Sequence, residues 1–204
     1  MNNPTIGIDS VSWRDAFRIE LRAEAIGLAT RGWPVVPGTA PAGDGVSGPV
    51  PVHDDWQERA VADSGDVIEW WGGEVYSVLV ATGSYVDAVE VDAELGHRAA
   101  TLLRETGRPA PILAMPNGKW VFLTESGGEL AGELATRPGV VRHGMGSWVP
   151  LPPTPFAHGV VHWRVKPEVW EWKLPRAGAL HGVLARALAT LPDNRDSEFH
   201  VHAA

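Results

Sequence analysis

The chain has 204 residues, 44% of them apolar, with ten tryptophans, no cysteine and a formal net charge of −8. That length and apolar share suit one well-buried core, the missing thiols exclude disulfides and thiolate zinc sites, and no run of ~20 apolar residues is present to span a membrane. Only three of the 17 basic residues are lysines (Lys119, Lys166, Lys173), which argues against a broad basic footprint for duplex DNA but allows a local arginine groove. A cytoplasmic protein without membrane attachment is the expectation. No sequence pattern fixes the oligomeric state.

In chain order, residues 1–9 read as a flexible start. Trp13, Phe17, Leu21, Ala25 and Leu28 then recur at helical spacing, with Ser12 and Asp15 as a capping box and Gly32 and Pro34 as the stop. Residues 38–55 are rich in Gly and Pro without a period and read as a mobile loop. "DSGDVIEWW" is a short acidic helix whose paired Trp70 and Trp71 pack it on a sheet.

"EVYSVLVATG" and "YVDAVEVD" read as strands joined at Gly83-Ser84, and "AELGHRAATLLRETG" as a helix turning Leu95, Ala99, Leu102 and Leu103 inward. Strands over Ile112–Ala114 and Trp120–Thr124 flank the turn "PNGK". A short helix over Glu129–Thr136, strands over Val140–His143 and Ser147–Leu151, and the strand "GVVHWRV" follow. Leu180, Val183, Leu184, Ala187, Leu188 and Leu191 mark the last helix, and residues 193–204 read as a flexible tail. The order predicts an α+β fold with a mixed or antiparallel sheet and flanking helices, as a single domain over 10–192. Gly83, Asn117-Gly118 and Gly144 are read as hairpin turns.

The strand "YVDAVEVDAELG" carries the chemistry. Alternation places Glu90 and Asp92 on one face and Asp87 with Val89 and Val91 on the other. Two carboxylates where a strand gives way to a helix suit a divalent metal, and equally suit two solvated acids at a helix start. Asp87, near the turn, is expected to cap it. Arg142 and His143 together suit a phosphate, or else a polar strand edge. His158, His162, His200 and His202 offer pairs at best, too few for a structural zinc site, so no zinc is expected.

The ordered set "GLATRGWPVVP", "AVADSGDVIEWWGG", "VLVATG", the acidic strand, "NGKWVFL", "GSWVPLPPT" and "VHWRV" resembles the bifunctional DNA primase/polymerase (prim-pol) domain of the archaeo-eukaryotic primase superfamily over roughly residues 20–167. The resemblance implies an RRM-like sheet, and two-metal nucleotidyl transfer with Mg or Mn held by an Asp-x-Asp pair that falls on Glu90 and Asp92. It also implies a nucleotide-contacting segment at Gly118, Lys119 and Trp120, for which Arg142 and His143 are candidate substitute contacts. In this chain Trp120 stands where the family has a histidine, and Val140–His143 hold no third carboxylate.

Three functions follow as expectations. The first is a degenerate primase/polymerase-like regulatory factor that binds a nucleotide, a nucleic acid or a protein. Its motivation is the altered motifs and the absence of an appended replicative domain. The second is an active metal-dependent DNA primase/polymerase. The third is a structural interaction domain in which Trp120 fills the old cleft, packed against Glu90 or Asp92.

Overall fold

The computed structural model of the chain describes residues 13–40, 48–60, 63–108 and 110–191. The expected flexible ends, the Ser12 half of the capping box and residues 41–47 of the expected loop lie outside them. The fold is α+β, with the chain divided into two compact units: residues 1–81 with 149–161, and residues 82–148 with 162–204.

The first unit opens with α1 (Trp13–Ala29), whose Leu21, Ala25 and Leu28 are buried as the helical spacing requires. Strand β1 (Val35–Gly38) follows, then α2 (Trp56–Arg59) and α3 (Ser64–Trp70). Asp63 caps α3 by accepting from the Gly65 and Asp66 amides. Trp71 is buried, and its indole donates to the Tyr76 carbonyl. Strand β2 (Ser77–Ala81) is buried along its whole length and pairs antiparallel with β1.

The expected loop over 38–55 is partly built into this unit. Thr39 N–H donates to the Val50 carbonyl and Val52 N–H to the Pro37 carbonyl, so the Pro-rich stretch returns alongside β1. That pairing satisfies backbone groups which composition alone leaves unassigned.

The second unit is built on a five-stranded sheet. Its members are β3 (Val86–Val91), β4 (Ile112–Ala114), β5 (Trp120–Glu125), β6 (Val141–His143) and β10 (His162–Val165), in the order β10-β4-β5-β3-β6. Every pairing in it is antiparallel. Helices α4 (Ala93–Glu105), α5 (Glu133–Thr136) and α6 (Ala177–Leu188) cover one face. There Val89, Val91, Trp120 and Phe122 pack with Leu95, Ala99, Leu180 and Leu184. Helix α5 is shorter than the expected 129–136.

Of the three expected hairpins, one forms. β4 and β5 pair across Asn117-Gly118. The other two turns are corrections: Gly83 leads from β2 to β3 and Gly144 from β6 to β7 (Trp148–Pro150), and in each case the two strands belong to different sheets. At Gly83 the reason is competition for edges. β2 lies between β1 and β7, and β3 lies between β5 and β6, so neither has an edge left for its sequence neighbour. Likewise "GVVHWRV" divides into β9 (Gly159–Val160), paired with β8 (Pro155–Phe156), and β10, paired with β4. No helix among the described residues is long and apolar enough to cross a membrane.

Candidate functional site

Register fixes the faces of the larger sheet. In β3 and β5, Val91 stands opposite Trp120, Glu90 opposite Val121 and Val89 opposite Phe122. In β6, Arg142 stands opposite Val89 and Val141 opposite Glu90. Directly opposed residues point the same way, so Asp87, Trp120 and Arg142 share the helix-covered face, while Glu90, Val141 and His143 share the other.

Asp92 directly follows β3 and is the N-cap residue of α4, with extended backbone and no capping hydrogen bond from its side chain. An aspartate there normally accepts from the first-turn amides. Here its carboxylate instead receives the ammonium of Lys119. Lys119 is delivered by the β4–β5 turn: its amide donates to Asn117 Oδ1 at 3.0 Å, and Met115 N–H donates to the Lys119 carbonyl. Gly118, with φ +84°, makes that turn feasible. Gly139 closes on the pair, since a Cβ there would lie 2.6 Å from Asp92 Oδ2 and 3.3 Å from Lys119 Nζ.

Glu90 meets a different basic side chain. His143 Nε2 lies 3.5 Å from Glu90 Oε2, and His143 Nδ1 is 3.2 Å from Ser147 Oγ. Each carboxylate of the expected metal pair therefore faces a basic side chain from the same unit. A divalent ion at this place needs several converging oxygen donors. Asp92 is engaged by Lys119, and Val141, directly opposite Glu90, contributes no donor. Among the described residues no group of three His, Cys, Asp or Glu side chains is placed to hold a metal ion. The donor set does not fit a divalent metal.

Three expectations about neighbouring side chains are corrected. Trp120 does not fill a cleft against Glu90 or Asp92. It is buried on the helix-covered face, where Gly96 admits its indole: a Cβ at Gly96 would lie 2.8 Å from the ring. His97 packs against it with tilted rings, 4.3 Å between centroids, and the Arg164 guanidinium sits 3.9 Å over the ring.

Arg142 and His143 do not act together either, because adjacent strand residues face opposite ways. Arg142 donates to Asp87 Oδ2 at 2.8 Å and to Glu129 Oε1 at 2.9 Å.

Asp87 is not a turn cap. Its side chain is 2% exposed, and it also accepts from the Gly127 amide at 3.1 Å, while its Oδ1 has no hydrogen-bond partner among the described residues. Close by, burial pushes the His181 imidazole below its ordinary pKa. The Arg142 guanidinium adds to this, whereas Asp87, Glu129 and a hydrogen bond with the Glu129 backbone oppose it. This cluster went unread in the sequence. The available signal was an aspartate on the valine face of a strand, since a charge turned into a core requires a partner.

The family model for the N-terminal domain of bifunctional DNA primase/polymerase, Prim-Pol, matches residues 25–194. The chain belongs to this family. It is therefore a primase/polymerase-like member of a nucleotidyl-transferase family. No curated protein matches it. Prim-Pol domains generally use divalent metals, and the Prim-Pol site of this chain sets lysine and histidine against the acids that would serve them.

Proposed function

We propose that this Prim-Pol domain is a binding and regulatory factor with weak or no polymerase activity, acting on a nucleotide, a nucleic acid or a protein. The observation that carries the reading is the Lys119 ammonium on the Asp92 carboxylate. An ammonium on the second acid neutralises the charge that would attract a metal ion, and it competes for the same lone pairs. Two further features support it. Val141 occupies the position opposite Glu90, and Trp120 is directed into the helix-covered core rather than toward the acids. Without metal to activate a 3′-hydroxyl and steady a triphosphate, several kcal/mol of transition-state stabilisation are missing.

The rival reading is an active metal-dependent primase/polymerase. Family membership favours it, as does the 60% exposure of the Asp92 side chain, which leaves that carboxylate within reach of a competing ion.

Primer extension with Mg²⁺ and with Mn²⁺, on the wild type and on Glu90→Ala, separates the two. No incorporation by either protein is the expected result. Incorporation that requires metal and disappears in Glu90→Ala would establish the rival. Fluorescence anisotropy with single-stranded DNA, together with calorimetry with a nucleoside triphosphate, then sorts the class of ligand.

A further inference from the structure

Helix α6 poses a problem of exposure. Its twelve residues, "AGALHGVLARAL", include only two polar side chains, His181 and Arg186. A helix apolar on all sides is ordinarily covered on all sides. One face of α6 packs into the core through Leu180, Leu184 and Ala187, yet Gly178, Ala179, Gly182 and Ala185 on the other faces are exposed.

That exposed side borders a groove of about 590 Å³ between the C-terminal end of α4 and α6, floored by Leu103, Ala179, Leu180 and Val183. A second depression of about 520 Å³ shares Arg108, Pro175 and Ala179 with it and adds Trp170 and Arg176.

The charge around this groove is opposite to that of the chain. Arg108, Arg176 and Arg186 line the two depressions, and among the described residues no acidic one does. All three are exposed, and among the described residues their guanidinium groups make no ion pair or side-chain hydrogen bond. On a protein of net charge −8, three unpaired arginines around an apolar floor complement a ligand that is apolar on one side and anionic on the other.

The shape narrows the ligand further. Gly178 and Gly182 are one helical turn apart, and a Cβ at either would meet nothing within 4 Å, so a rod-like backbone has room to approach α6 closely. Among the described lining residues Trp170 is the one aromatic side chain, which suits leucine-type side chains better than a run of stacked bases.

We propose that the α4–α6 groove docks an acidic amphipathic helix of a partner protein, its apolar face on Ala179, Val183 and the two glycines and its carboxylates on Arg108, Arg176 and Arg186. This surface is independent of the chemistry at Glu90 and Asp92, so its failure and the failure of the regulatory reading are separately visible.

The test uses the full chain and a fluorescein-labelled designed peptide of about 18 residues, long enough to hold a helix, with leucines on one face and glutamates on the other. Anisotropy should show saturable binding. Arg108→Glu/Arg176→Glu/Arg186→Glu should weaken it about tenfold or more, equivalent to about 1.4 kcal/mol. Gly182→Leu fills the groove while raising intrinsic helix propensity, so it should abolish binding without unfolding the chain. Lys119→Ala should bind the peptide as the wild type does.

Four results would overturn the proposal. One is no binding, and another is equal binding of a scrambled peptide of the same composition. A third is preference for a single-stranded oligothymidylate, which would assign the groove to nucleic acid. The last is a wild-type dimer that Gly182→Leu dissociates, which would make the groove a contact between copies of this chain.

Discussion

The Lys119 ammonium meets the Asp92 carboxylate just past the rung where Trp120 of β5 stands opposite Val91 of β3. The lysine thus holds the acid that a metal ion would need, at the point where the sheet hands over to α4.

Removing that lysine should create metal affinity. The pair is partly exposed, with side chains 27% and 60% accessible, so its loss costs at most about 1 kcal/mol of stability and the variant should fold. Mn²⁺ titration followed by electron paramagnetic resonance should show no tight site in the wild type, weak binding in Lys119→Ala, and stronger binding in Lys119→Ala/Val141→Asp. The second exchange adds a carboxylate opposite Glu90 on the same face. Equal affinity in all three proteins would remove the argument that Lys119 excludes the ion.

Arg142→Ala should be among the most destabilising exchanges in the second unit. It leaves the Asp87 carboxylate buried without its cation, and breaking a buried pair costs about 3–5 kcal/mol. Asp87→Asn/Arg142→Met, which removes both charges, should recover much of that loss. Urea denaturation of the two variants compares them directly; equal stabilities would mean that the pair is not the cause.

Trp120→His places the family's residue type at the family's position, yet it should not produce primer extension. The side chain at 120 points to Gly96 and His97 under α4, away from Glu90. The exchange should instead destabilise the fold by about 1–3 kcal/mol through lost packing. A catalytic gain without loss of stability would contradict the assigned face.

Stability should fall as the pH is lowered below the unfolded histidine value of about 6.5, and His181 should carry part of the fall. Its folded pKa lies below the unfolded value of about 6.5, chiefly through burial, so between the two values the unfolded chain binds the extra proton. The contribution is complete above the unfolded pKa and is lost as the pH drops through the folded one. Denaturation midpoints between pH 8 and 5 should depend less on pH in His181→Gln than in the wild type.

Much of this was legible in the sequence because it rests on short-range periodicity. The spacing of Leu21, Ala25 and Leu28 located α1, and that of Leu180, Leu184 and Ala187 located α6. The "PNGK" turn located the β4–β5 hairpin. The turns at Gly83 and Gly144 look the same in one dimension, yet each joins strands of different sheets, and at Gly83 both strands already have partners on their two edges.

Alternation along "VDAVEVD" by itself determined that Glu90 is turned away from Val89 and Val91, and that Asp87 shares the valines' face, since a two-residue period is a property of extended backbone. Only the tertiary structure decided what each acid meets. Lys119 reaches Asp92 from 27 positions away and Arg142 reaches Asp87 from 55, across strands whose order no local pattern encodes. Ionic partners are chosen by register between distant strands, and that register is set by burial of the whole sheet rather than by the residues that form the pairs.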